Sequence, residues 1–318
     1  MATDFLILRL YEKEIPFVRL NTEDFLSEWY VNFMLGKDGS SFSIQLNNRQ
    51  NIPGNMISGA YIRQPKLPLL NIAMEDQKFA ERETGETLRS LWRSIKDHLW
   101  LNAPHNILRA SNKPEQLRIA QEMGFLIPNT CITSDTELML KFYEENQKDV
   151  IVKAVKHGFL YDGINAKVAA TQLLDDESIY DLDQYAHLPM ILQKRIHKYR
   201  DVRVTVVGEK VFATAIHSQN HKETEVDWRL ADHYKIKLQH EPIILPENIS
   251  KLCKKITSKF NLRYAAIDLV ISKKGEYYFL ELNPNGQWAW IEQITGVLIR
   301  DAIIEELGRK SEVSNEIC

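Results

Sequence analysis

The stretch Tyr277-Tyr278-Phe279-Leu280-Glu281-Leu282-Asn283-Pro284-Asn285-Gly286-Gln287-Trp288 decides the fold, because an apolar strand in it delivers a carboxylate and an amide side by side. Side chains two apart on a strand point the same way. Glu281 and Asn283 therefore share one face while Leu280 and Leu282 take the buried one. Oxygen ligands of this hardness suit Mg²⁺, which is held by one or two carboxylates together with waters and substrate phosphates. The implied ligand is a nucleotide.

Just upstream, Tyr264-Ala265-Ala266-Ile267-Asp268-Leu269-Val270-Ile271-Ser272 reads as a buried strand with a single acid. Lys273-Lys274-Gly275 is a turn signal between the two apolar runs, so the strands pair antiparallel and bring Asp268 near Glu281 and Asn283. Taken singly, Asp268 is as well explained as a hydrogen-bonded core residue and Glu281 as an edge-strand acid. In register across a hairpin they read as a metal site.

The rest of the chain sets limits. Its 318 residues, 44% of them hydrophobic, are enough for two or three domains with a large core, and a net charge of −3 supplies no general field for nucleic acid. No run approaches the length of a membrane span. The start, Met1-Ala2-Thr3-Asp4, lacks a signal core, so the expected compartment is the cytoplasm. Cys131, Cys253 and Cys318 are scattered and odd in number, which indicates neither a disulfide framework nor a zinc site.

Apolar spacing predicts a first helix around Phe5 to Tyr11, strands over 15–21, 41–46 and 58–63, and a long helix over 75–99. Asn102-Ala103-Pro104 marks a boundary. Beyond it the pattern predicts a strand over 106–110, a helix from Lys113 stopping at Gly124, a strand over 130–133, a helix begun by Ser134-Asp135, and a strand over 150–155. From Met190 strands outnumber helices: 190–193, 202–207, 211–217 and 234–238, then a helix over 248–260 and the hairpin. Three domains result, over 1–103, 104–189 and 190–318, in the α+β class.

Several residues point to phosphate. Lys153 sits inside an apolar strand, where an ammonium needs a partner; a phosphate or an edge-strand escape to solvent both satisfy it. Lys156-His157-Gly158-Phe159-Leu160-Tyr161-Asp162-Gly163 has the composition of a flap over phosphates. Gln193-Lys194-Arg195-Ile196 reads as a strand running into a linker whose peptide groups can meet an adenine edge. Asp201 and Arg203 share a strand face, and Asp227-Trp228-Arg229 closes a polar loop; both arginines suit phosphate, and each alone also fits surface ion pairing. Arg63, at a predicted strand end, fits either an acidic substrate or a surface pair.

These residues, in this order, resemble those of an ATP-grasp carboxylate-amine or carboxylate-alcohol ligase, and within that superfamily the microviridin-type, or graspetide, peptide maturases. The part that carries this is Leu280 to Trp290 with Ile291-Glu292, supported by Asn112-Lys113, 120–124 and Pro128-Asn129-Thr130. The resemblance implies an N-terminal pre-ATP-grasp domain and ATP held between the central and C-terminal parts. Lys113 and Lys153 would meet phosphates, Gln193, Lys194 and Ile196 adenine, and Asp201 would assist as a nucleotide-site residue. Asp268, Glu281 and Asn283 would hold Mg²⁺, and Arg203 and Arg229 would face the transferring phosphoryl group. It further implies a ribosomal precursor peptide as substrate, with leader and acidic, Thr-rich core, its Asp or Glu side chains joined to Thr or Ser hydroxyls as ω-esters. The alternatives are ω-amides to Lys, or a ligase that adds glutamate. A homodimer is expected, with no nucleic acid or membrane. Two departures stand out: Lys194 occupies a position where many members carry an acid, and the chain opens almost at the first helix, so the first strand of the N-terminal domain is expected to be missing.

Overall fold

The computed structural model describes residues 2–37, 39–68, 70, 74–156, 159–162, 165–168, 171–180 and 188–309. The first described element is helix α1 (Ala2–Glu12), whose Leu6 is buried against the far end of the chain rather than against its neighbours in sequence. Strands β1 (Trp29–Gly36), β2 (Gly39–Leu46) and β3 (Asn51–Pro53) form an antiparallel sheet in that order. Helix α2 (Met74–Ser94) covers it, packing Leu88 and Leu91 on Phe25, Trp29 and Ile44.

Two strands expected here do not form. Residues 15–21 run irregularly after Glu14 turns the backbone to φ 54°, and of 58–63 only Ala60 makes a bridge, to Trp100, before Gln64 at φ 42° and Pro65 end it. The strands the pattern missed in this sheet are β3 and β1, the latter an aromatic run paired residue for residue with β2.

Helix α3 (Pro104–Ala110) replaces the strand expected over 106–110, because Pro104 at the first helical position is already set at helical φ and loses no hydrogen bond there. Helix α4 (Lys113–Glu122) is capped by Asn112, whose Oδ1 accepts from the Glu115 N–H at 2.9 Å, and it stops before Gly124, whose φ of 95° only glycine adopts readily. Next come β4 (Thr130–Thr133), α5 (Thr136–Glu145) with Asp135 as its cap, β5 (Val150–Ala154), the pair β6 (Phe159–Asp162) and β7 (Asn165–Val168), β8 (Gln172–Leu173), α6 (Asp176–Tyr180) and β9 (Met190–Lys194). The central sheet is antiparallel in the order β4-β9-β5-β8. His157, Gly158 and Gly163 of the predicted flap lie outside the described residues.

The last part is built on β10 (Lys198–Val207), β11 (Lys210–Ile216), α7 (Leu230–His233), β12 (His240–Ile243), α8 (Glu247–Lys259), β13 (Tyr264–Ser272), β14 (Tyr277–Asn283), α9 (Ala289–Thr295) and α10 (Ile299–Gly308). The five strands form one antiparallel sheet, ordered β12-β11-β10-β13-β14. No strand forms over 234–238, because Lys235 at φ 54° turns the chain out of α7 and pairing resumes only at His240.

One sheet face is the core. Val202, Val204 and Val206 of β10 with Ile267 and Leu269 of β13 pack on Ile249, Cys253 and Ile256 of α8, a helical stripe, and on Leu117 and Ala120 of α4. Each such burial contributes roughly 2 kcal/mol. Cys253 is part of this core, where burial pushes its thiol up to about 12. The alternation that fills this face leaves the opposite face of the same strands to carry chemistry. No helix is long and apolar enough to cross a membrane among the described residues.

Candidate active site

The register of three strands builds the site. Arg203 on β10 lies opposite Asp268 on β13, and Asp268 lies opposite Glu281 on β14, so one row across the sheet reads Arg-Asp-Glu. A bulge at Leu280, between the pairs Asp268–Glu281 and Leu269–Phe279, sets this alignment. Two rows on, on the same face, Asn283 lies opposite Ala266.

Two like charges face to face destabilise a sheet unless cations intervene, and here they do. Arg203 Nη1 donates to Asp268 Oδ1 at 2.8 Å. Lys113 Nζ, from the first turn of α4, lies 3.1 Å from Glu281 Oε2 and 3.4 Å from the Ala154 carbonyl at the end of β5. Arg229 Nη1 stands 3.9 Å from Glu281 Oε1. Lys153 on β5 belongs to the same group: burial pushes its ammonium down to about 8, the charge of Glu281 opposing and those of Lys113 and Arg229 adding to the shift. Burial would raise Glu281, but Lys113, Lys153 and Arg229 together hold it down at about 2. Asp268 is shifted up, by burial and by the neighbouring Glu281, against the pull of Arg203.

Lys113, Lys153, Arg203 and Arg229 thus meet Asp268 and Glu281, with Asp227 as a third acid behind Arg229. The surplus is positive. A polyanion completes such a cluster, and with a divalent cation seated on the two carboxylates a triphosphate balances it better still. No group of three or more His, Cys, Asp or Glu placed to hold a metal occurs among the described residues; the oxygens this face offers a cation are those of the Asp268 and Glu281 carboxylates, with the Asn283 amide further along β14. Asn283 is exposed at the strand end, its Oδ1 accepting from the Asn285 N–H at 3.0 Å.

The other predicted residues divide. Gln193 is fully buried on β9; its Nε2 donates to Thr130 Oγ1 at 2.8 Å, and its Oε1 has no donor among the described residues. The Lys194 N–H is bound to the Asn129 carbonyl at 2.9 Å, whereas no described group bonds the Ile196 peptide N–H. Asp201 shares a strand face with Arg203 but is not brought into the cluster. Its carboxylate is enclosed by Lys198 Nζ, at 2.8 Å, and by the Ser218 hydroxyl, and Lys198 also reaches the Val226 carbonyl at 3.2 Å. Asp201 braces the polar loop that carries Arg229. Arg63 meets no acid among the described residues: its Nη1 donates to the Asn285 carbonyl and Oδ1, both at 2.7 Å, and to the Gly286 carbonyl at 2.9 Å, clamping the loop after β14.

Three supports escaped sequence reading. Gln116 of α4 gives the edge strand β14 its missing neighbour: Oε1 accepts from the Leu282 N–H at 2.8 Å and Nε2 donates to the Leu282 carbonyl at 2.7 Å, between Glu281 and Asn283. Asn102, read as a boundary, is a buried hub. Its Nδ2 donates to the Tyr264 and Pro284 carbonyls, both at 2.8 Å, and its Oδ1 accepts from the Arg263 and Tyr264 N–H groups at 2.7 and 3.0 Å. Asp227 grips Arg229 with both oxygens, at 2.8 and 2.7 Å. Only the last left a signal, an acid two residues before the arginine.

A cation-rich cluster where a four-stranded and a five-stranded antiparallel sheet meet, around a carboxylate pair on a hairpin, defines an ATP-grasp ligase. Residues 110–307 match the family described as the RimK-like ATP-grasp domain; the chain belongs to that family and is an ATP-dependent ligase. No curated protein matches the chain. Among solved structures it is similar to a RiPP-associated ATP-grasp ligase of Chryseobacterium gregarium, solved with ADP and a leader and core peptide, with 26% identity, a TM-score of 0.86, and coverage of 96% of this chain and 92% of that one. The macrocyclase MdnC of Microcystis aeruginosa MRC, bound with precursor peptide MdnA, shares 24% identity over 96% of this chain and 95% of its own, with a TM-score of 0.81. The ligase PsnB, solved with a phosphomimetic minimal precursor, Mg and ADP, shares 22% over 96% and 94%, at 0.72. At those identities the last two likenesses speak to the fold.

Proposed function

We propose that this ligase cyclises a ribosomally made precursor peptide, joining core Asp or Glu side chains to Thr or Ser hydroxyls as ω-esters. The observation that carries it is likeness, over 96% of the chain and at 26% identity, to a ligase solved with ADP and a leader and core peptide. The surplus-cation cluster supports the same chemistry from the residues themselves. Lys113 and Lys153 would bind phosphates. The Ile196 N–H and the buried Gln193 Oε1 offer a donor and an acceptor of the kind an adenine edge completes. Asp268, Glu281 and Asn283 would hold Mg²⁺, which when bound neutralises phosphate charge and orients the triphosphate.

The reaction is positioning and charge balance. A substrate carboxylate oxygen bonds to the γ-phosphorus as the bond to the ADP oxygen breaks, giving an acyl phosphate and ADP. A hydroxyl oxygen then bonds to the acyl carbon, phosphate leaves with the electron pair, and the hydroxyl proton passes to phosphate or solvent. Arg203 is held rigidly by Asp268 and the Gln287 carbonyl, and Arg229 by Asp227; planar guanidiniums so fixed stabilise equatorial phosphoryl charge without reorganising.

Co-expression with small open reading frames from the same locus, read by mass spectrometry, tests the proposal. Loss of one water per ring is expected, with rings opened by mild alkali. Rings that resist alkali would establish ω-amides to Lys instead, and an added glutamate mass with no water loss would overturn cyclisation.

A further inference from the structure

Asp227 does more than hold Arg229: its carboxylate, 4% exposed, collects four donors. Three come from one residue: the Arg229 Nε and backbone N–H on Oδ1 at 2.8 and 3.1 Å, and Nη2 on Oδ2 at 2.7 Å. The fourth comes from beside the central sheet, the Thr171 backbone N–H on Oδ2 at 3.1 Å. Thr171 immediately precedes β8, where Gln172 pairs with Val152 and Leu173 with Ile151, and Val152 immediately precedes Lys153. One buried carboxylate therefore joins the arginine of the loop before α7 to the strand pair that carries the lysine of the central sheet.

The loop presenting Asp227 is itself fixed. Lys198 holds the Val226 carbonyl at 3.2 Å, Gln219 Nε2 that of Glu225 at 3.0 Å, and Thr224 Oγ1 that of Ser218 at 2.6 Å. The Arg229 side chain is 49% exposed, so without its bidentate partner it would sample many rotamers in water. With that partner, its plane is set by a group that also senses where β8 lies.

We propose that Asp227 is a positioning residue that registers Arg229 against the Lys153-bearing strand pair, so that the arginine is presented to the transferring phosphoryl group only when β5 and β8 are seated against the C-terminal sheet. This rests on the ligase reading above. Asp227 touches neither substrate nor reacting atoms in this role; it transmits the seating of the central sheet to a charge on the loop before α7, in the manner of a two-state closure contact.

The test compares Asp227→Asn, Arg229→Ala and the double variant in the full chain, first by hydrogen exchange without ligand and then by ADP release with ATP, Mg²⁺ and precursor. Asn keeps the shape but turns an amide toward donors. In Asp227→Asn, exchange over 171–174 is expected to rise at least tenfold, whereas Arg229→Ala leaves it within twofold. The kcat should fall at least tenfold with the KM for ATP within twofold, and the double variant should be no slower than Arg229→Ala alone. Unchanged exchange over 171–174, or losses that multiply in the double variant, would overturn the proposal. If Asp227→Asn folds poorly, Asp227→Glu supplies the same readings, since its longer reach keeps the arginine and displaces Thr171. A wild-type chain that releases no ADP with precursor would defeat the precursor-cyclising reading, while the exchange arm still decides the role of Asp227.

Discussion

Asp268 and Glu281 stand directly opposite each other on β13 and β14, two acids in register that only the surrounding lysines and arginines make tolerable. Removing one acid leaves cations uncompensated. Glu281→Gln is expected to destabilise the ligand-free protein by about 3 kcal/mol, since Lys113, Lys153 and Arg229 lose their shared partner, and to abolish Mg²⁺-dependent ADP formation. Urea unfolding and an ADP-release assay measure the two effects; a variant of wild-type stability would show that the acid does not hold this cluster together.

Lys153 gives a pH dependence. Its ammonium, down at about 8, is charged below that pH and neutral above it, so nucleotide affinity should be full at pH 7 and decline through pH 8 to 9. Phosphate binding favours the charged form, so near pH 8 the protein should take up a proton as nucleotide binds, seen as a buffer-dependent heat in calorimetry. Stability moves the other way. The folded state binds fewer protons than the unfolded state between about 8 and the ordinary lysine value of 10.5, so this group's contribution to stability rises with pH across that window. Lys153→Met should remove the proton uptake and weaken nucleotide binding, while the ligand-free protein gains about 1 kcal/mol from the relieved cation surplus.

Asn102 and Gln116 are buried amides whose loss would strand backbone groups in the core. Asn102→Ala leaves the Arg263 and Tyr264 N–H groups and the Tyr264 and Pro284 carbonyls without their partner, and should cost about 3 kcal/mol. Gln116→Leu strands both peptide groups of Leu282 between Glu281 and Asn283, two of the three proposed metal ligands, so alongside a similar loss the Mg²⁺ concentration needed for half-activity should rise. Titration with Mg²⁺ in a Gln116 variant that folds checks the second effect.

Gly286 is pressed onto the row below the acids. A methyl group there would overlap the Ala266 methyl and stand 2.7 Å from Arg203 Nη2. Gly286→Ala is expected to lower kcat at least tenfold by shifting Arg203, with the melting temperature changed by only a few degrees. Adding Ala266→Gly makes room and should restore part of the rate; failure to restore any would show that the close approach to Ala266 does not set the arginine.

Much of the fold and site is legible in the sequence, for a local reason. The hairpin and its acids are written in residues two apart and in one turn signal, which need no distant partner to interpret; the bulge that leaves Leu280 half-buried and puts Phe279 with Leu282 in the core is not. The same holds for α4, where Asn112 and Gly124 mark both ends. The pattern misleads where distant contacts or a backbone turn override it: residues 15–21 have strand composition but pair with no strand among the described residues, and 106–110 is apolar enough for a strand although Pro104 starts a helix.

From the chain alone came the ligand chemistry: hard oxygens on a hairpin end, a lysine in an apolar strand, arginines beside acids. Only the folded structure decided which of these groups meet. Asp201 and Asp227 are both acids two residues from an arginine, and sequence treats them alike. The sheet register and the path of the polar loop turn the first toward Lys198 and the second toward Arg229. Side-chain type is a local property, but the company a charge keeps is set by strand pairing and loop packing, which bring Lys113 of α4 to Glu281 of β14, Arg203 of β10 to Asp268 of β13 and the Thr171 N–H to Asp227, and it is that company which makes a buried acid a brace or a part of the active site.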